Sequence, residues 1–154
     1  MVEMMITVAI SGSVLVALLS VYLSCAQSWH RTSLSINTTR EANHCLDQMI
    51  YGVGTGLGLR ASYSVTNWGN ATNWLLKSSN FNEVAWYDYE PDRTIVIFSN
   101  AAGSRVIGTN IIASTVTSAG NGVKIMLTVK KIDGRYSETN TVSTFVKLRC
   151  ATTR

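Results

Sequence analysis

Residues 4–26 read MMITVAISGSVLVALLSVYLSCA, a run with no acidic or basic side chain. A helix rising about 1.5 Å per residue makes that run long enough to cross a hydrocarbon layer about 30 Å thick. Tyr22 and Trp29 stand near its far end, where amphipathic rings favour the membrane–water boundary, and His30 and Arg31 follow. The run therefore predicts a helix that needs lipid or other helices around its whole circumference. A cleavable secretory signal would want a basic start, a shorter apolar centre and a small-residue cut site. Here Glu3 occupies the start, although Ser24-Cys25-Ala26-Gln27-Ser28 offers small residues for cutting. A lipobox reading of Leu23-Ser24-Cys25 lacks the basic residues that such signals carry.

Beyond this segment the pattern becomes amphipathic. Ala42, Cys45, Leu46, Met49, Ile50 and Val53 recur at three-and-four spacing, with Arg40, Glu41, Asn43, His44, Asp47 and Gln48 between them. One helix of about fifty residues, apolar all round and then on one face, would measure about 75 Å. It should end at YGVGTGLGLR, where Gly52, Gly54, Gly56 and Gly58 remove helix propensity. That spacing does not match a GxGxxG nucleotide loop, and it follows a helix where such a loop follows a strand.

Residues 61–82 read as a loop with one short helical turn around Trp74-Leu75-Leu76. Val84–Tyr89 and Thr94–Ser99 flank Glu90-Pro91-Asp92-Arg93 as a hairpin, and a looser extended stretch covers Arg105–Thr117. In VKIMLTVK, residues Val123, Ile125, Leu127 and Val129 fall on one face. After a turn at Asp133-Gly134, Val142–Cys150 alternates again. The expected class is α+β: a long N-terminal helix on a four- or five-stranded antiparallel sheet. The expected division is residues 1–26 as a hydrophobic helix and 27–154 as a head that includes the amphipathic half.

A chain of 154 residues has room for one modest core plus one long appended element. Charged residues make up 14%, and the net charge of +4 comes from scattered basic residues whose longest cluster is Lys130-Lys131. That permits contact with nucleic acid or anionic lipid without demanding it.

The segment Val2-Glu3-Met4-Met5-Ile6 resembles the N-terminus of type IV pilins and type II secretion pseudopilins, with Met1 where that family usually has Leu. Gly12 falls where many pilins carry a helix glycine, while Ser20 stands where many carry a proline that would kink the helix. The motif covers about the first 25 residues and is architectural beyond them. The resemblance implies a basic leader removed by prepilin peptidase, N-terminal methylation, and two mature residues before Met1. Arg31 and Arg40 alone would leave the head cytoplasmic, so an outward-facing head is also an implication of the resemblance.

By the same resemblance, Glu3 is the assembly charge partner, neutralised by the N-terminal amine of a neighbouring subunit. An acid at the bilayer centre costs about 2.5–3.5 kcal/mol unpaired, so burial without a partner is disfavoured. The alternative is an interfacial Glu3 just outside the lipid that stabilises its own helix N-terminus. The filament-core helix would use Met4, Met5, Ile6, Val8, Ile10, Val14, Leu15, Leu18 and Leu19.

Cys45 and Cys150 both point toward the expected core, either as a disulfide worth up to about 4.7 kcal/mol or as two buried thiols. Cys25 is left over near the membrane end. Asp88, Glu90 and Asp92 bracket a turn and could offer oxygen ligands to calcium, but their spacing matches no dedicated loop, and a solvated acidic turn is the simpler reading. His30 and His44 form no metal pair, and Asn37-Thr38-Thr39 and Asn70-Ala71-Thr72 match glycosylation sequons. No cofactor, metal or catalytic constellation is expected.

The sequence thus predicts a non-enzymatic subunit of a type IV pilus-like extracellular filament. Copies of itself or other pilins, the bacterial inner membrane before assembly, and pilus or secretion machinery are its expected partners. A periplasmic pseudopilus is the alternative within that class. A membrane-anchored module that binds DNA or a surface ligand is the other, motivated by the basic pI near 9.1 and by Trp68, Trp74 and Trp86, expected to be exposed.

Overall fold

The computed structural model describes residues 1–54, 58–62, 64–67, 73–77, 84–119 and 121–148. Cys150, Trp68 and the sequon at Asn70 lie outside these. Helix α1 runs over Val2–Tyr51, so the apolar run and the amphipathic run form one element. Proline is absent from it and Gly12 is its lone glycine, leaving helix propensity unbroken. The chain divides into two compact units, residues 1–34 and 35–154.

Within the second unit, Thr38, Ala42, Cys45, Leu46 and Met49 form the buried face of α1, while Arg40, Asn43, His44 and Asp47 are exposed. The buried face packs on antiparallel strands. A five-stranded sheet has the sequential order β1 (Ser64–Asn67), β2 (Asn73–Lys77), β3 (Val84–Glu90), β4 (Ile95–Asn100) and β5 (Gly103–Gly108). A three-stranded sheet follows from β6 (Ile111–Ala119), β7 (Gly122–Asp133) and β8 (Tyr136–Lys147). The α+β class is the one the sequence predicts. Val123, Ile125, Leu127 and Val129 of β7 are all buried in one core with Met49, Tyr87 and Phe98.

Two local expectations differ. Trp74-Leu75-Leu76 lies in β2, where Trp74 is the cross-strand partner of Tyr87, their ring centroids 6.5 Å apart. Aromatic residues suit a pleated, half-buried surface, and cross-strand packing overrides the weak local helical signal. The stretch expected as one extended run is broken between β5 and β6, because Asn110 adopts φ +60°. That turn moves the chain from the first sheet to the second.

Asn110 and Thr94, with φ +53°, are the described non-glycine residues in the left-handed region. Both offer their carbonyls at the junction of the sheets: Ile111 N–H donates to Thr94 and Lys130 N–H to Asn110, each at 2.9 Å. The conformational cost, about 1–2 kcal/mol per residue, is set against backbone groups that would otherwise be buried unpaired.

The helix end is fastened in three ways. Gly52 takes φ +87°, and its N–H donates to the Gln48 carbonyl at 2.9 Å. The Tyr87 hydroxyl lies 3.0 Å from the Met49 carbonyl and 3.3 Å from that of Gln48, adding a side-chain donor at the helix end. Gly58 packs so closely that a Cβ there would stand 2.4 Å from Gly52 N and Tyr51 C.

Those distances predict a contrast between two glycines. Gly58→Ala should cost about 1–3 kcal/mol by overpacking against backbone. Gly12→Ala, with nothing within 4 Å of its Cβ, should leave head stability unchanged. Urea unfolding of the detergent-solubilised chain, followed by near-UV circular dichroism, checks both.

Candidate assembly surface

The first unit, residues 1–34, is a helix whose apolar side chains over residues 4–25 are exposed, while Leu34 at its end is buried. Met4, Met5, Ile6, Val8, Ile10, Val14, Leu15, Leu18 and Leu19 are all exposed, from 52% at Val14 to 77% at Met4. An eighteen-residue window of this helix has mean hydropathy 2.3 and none of it is buried. The side chains point to every azimuth, so no single neighbour can cover them.

Polar groups in this segment are arranged to tolerate an apolar environment. Thr7 Oγ1 donates to the Glu3 carbonyl, Ser13 Oγ to that of Ile10 and Ser20 Oγ to that of Ala17, each at 2.8 Å. A hydroxyl that bonds back to its own helix needs no water, which lowers the cost of burying it in lipid or protein. Glu3 lies in the first turn, where a carboxylate meets the positive end of the helix dipole. It is the first unit's single acidic residue, and Arg31 supplies its single basic side chain.

In the second unit a polar cluster ties α1 to the start of β6 and the end of β7. Glu41 accepts from Lys131 Nζ at 2.5 Å through one oxygen and from Asn110 Nδ2 at 3.3 Å through the other. Two residues earlier on the helix, Thr39 Oγ1 accepts from Asn140 Nδ2 of β8 at 2.6 Å. The left-handed turn at Asn110 therefore presents its side chain to the helix while its carbonyl pairs with β7. No residue-type pattern in the sequence marks this three-way contact.

Cys45 sits over Gly108, where an added Cβ would meet its Sγ at 2.6 Å and Ile111 Cδ1 at 2.5 Å. Burial pushes its thiol up to about 12. Cys25 is exposed on the apolar helix. Cys45 is a free thiol, and Cys150, with which the sequence allows either a disulfide or two buried thiols, lies outside the described residues.

The aromatic set expected to be exposed is corrected at Trp74, which is buried because it stands on the core face of β2. Trp86 is half-buried. Among the described residues, no group of three or more His, Cys, Asp or Glu is placed to hold a metal ion. Glu90 is instead 3.5 Å from Arg93 across the β3–β4 turn.

Beyond the C-terminal end of α1 lie two concavities that sequence reading did not find. One, of about 860 Å³, is lined by Ile50, Tyr51, Arg60, Phe145, Lys147 and Leu148, among others. Arg60 lies over the Tyr51 ring at 5.7 Å from its centroid. The other, of about 300 Å³, includes Val53, Phe98 and Arg105. The residues involved are far apart in sequence, so only the fold brings them together.

A long apolar N-terminal helix whose second half packs on antiparallel sheets is a pilin-like architecture, and it suits a structural role. No family model, curated protein or solved structure matches the chain.

The buried thiol gives a pH test. An unfolded chain releases the Cys45 proton near its ordinary value of 9.0, while the folded chain holds it to about 12. Tyr87 is also raised, by burial first and by Cys45 second. The folded state thus binds more protons across this window, and stability falls as pH rises through it. The urea midpoint should decline above pH 9.0, and Cys45→Ala should flatten part of the decline.

Proposed function

We infer that this chain is a structural subunit of a type IV pilus-like filament, held in the inner membrane and then assembled by packing its apolar helix against copies of itself. The observation that carries this reading is the helical stretch of residues 4–25, exposed and apolar on all sides, joined to a head with its own core. Lipid covers such a surface before assembly. Sister helices cover it afterwards, each contributing a side of the circumference that no single partner could enclose.

The back-bonded hydroxyls of Thr7, Ser13 and Ser20 support the same reading, since they suit either environment. Glu3 supplies the polarity. In lipid or in a bundle a carboxylate needs a cation, and the terminal amine of a neighbouring copy is the partner that the N-terminal resemblance implies. A pseudopilus of a secretion system is built by the same contacts, and it differs in where the filament stops.

Replacing Glu3 by Ala separates anchoring from assembly. The variant should accumulate in the membrane fraction at wild-type level, because its apolar helix is intact, and yield few or no filaments by electron microscopy. Normal filament yield from Glu3→Ala would remove the charge-pairing step.

A further inference from the structure

The head has two chemically different ends along the direction of residues 35–51 of α1. Thr39 and Glu41 mark one end, through their contacts with Asn140, Lys131 and Asn110. Ile50 and Tyr51 mark the other, lining the larger groove with Arg60 and with residues 144–148 at and just past the end of β8. That groove has an apolar floor from Ile50, Ala61, Val146 and Leu148, with Arg60 and Lys147 as its cations. Lys124 is the cross-strand neighbour of Phe145, another lining residue, and Arg105 lines the second concavity at the same end. No described carboxylate lines either concavity.

The β3–β4 turn lies at the opposite end. Thr94, which closes it, accepts from Ile111 N–H, and Ile111 follows the Asn110 that bonds Glu41. This turn reads Glu90-Pro91-Asp92-Arg93, with Pro91, Asp92 and Arg93 exposed. It therefore presents one apolar ring, the chain's single proline, between Glu90, which is ion-paired with Arg93 at 3.5 Å, and Asp92, which gives the turn its net negative charge. The groove presents the complement: an apolar floor with two cations.

Resting on the filament reading above, we propose that the Glu90-Pro91-Asp92 turn of one copy seats in the Arg60–Lys147 groove of the next, so that the heads form a second, head-to-tail contact. Pro91 meets the apolar floor and Asp92 approaches the two cations, while Glu90 keeps its pairing with Arg93. A surface at one end that fits the other end of an identical molecule makes a heterologous contact. Such contacts propagate into rings or open helical filaments and do not stop at a dimer. The groove and the turn cannot satisfy each other within one chain, because they occupy opposite ends of the same head.

Charge reversal in full-length protein tests this contact, using filaments counted by electron microscopy and by sedimentation. Asp92→Lys and Lys147→Glu alone should each lower filament yield about tenfold through like-charge juxtaposition, and the double reversal should recover most of it. Both side chains are exposed, and unchanged near-UV circular dichroism of each variant verifies the fold. Wild-type filaments with both single variants unimpaired would overturn the head contact while leaving the filament reading intact. The absence of any wild-type filament would overturn both. Loss of single-stranded DNA retention by Lys147→Glu, with filament yield unchanged, would assign the groove to a polyanion and also overturn the proposal.

Discussion

An apolar rod that its own protein cannot cover is the constraint on which everything else depends. Each large aliphatic side chain left in water forgoes about 1.5–3 kcal/mol relative to full burial. Residues 2–26 hold many such side chains, distributed around the whole helix. A soluble monomer with this surface would aggregate without order. An ordered solution requires lipid, or a bundle in which every copy both covers and is covered.

The head is built so that it does not need the rod. Its core is closed by the face of α1 that carries Ala42, Cys45, Leu46 and Met49, and by residues from both sheets. The helix end is satisfied locally by Gly52 and Tyr87, and the opposite end by Glu41, Lys131 and Asn110. These contacts lie within residues 35–154, the second compact unit. A subunit with this division can keep its head folded while the surroundings of its first helix change from lipid to protein.

Periodicity made much of this legible. The uncharged run to Ala26 corresponds to an observed helix, and the spacing from Ala42 to Met49 and the alternation from Val123 to Val129 each correspond to an observed element with the expected buried face. The glycine-rich end of the helix was equally clear, since Gly52 and Gly54 adopt positive φ. The division of the strands into two sheets was not, because it turns on the backbone of Asn110 and on carbonyls pairing across sequence-distant turns. Trp74 misled for a related reason: which face of a short strand points inward depends on its cross-strand partner, here Tyr87. Glu3 was visible as an isolated acid, and the partner proposed for it is the terminal amine of a neighbouring copy. The groove at Arg60 and Lys147 joins a 3₁₀ turn to a strand more than eighty residues later, a proximity that no local pattern encodes.

The most direct measurement is amide hydrogen exchange on assembled, lipid-free material, with intact mass read on the same sample. Sister helices enclosing the rod predict that the mass includes residues 2–26 and that their amides exchange slowly within the filament and faster once it is dispersed in detergent. Assembled protein whose mass lacks this segment, or a segment that exchanges equally fast in both states, would contradict the account.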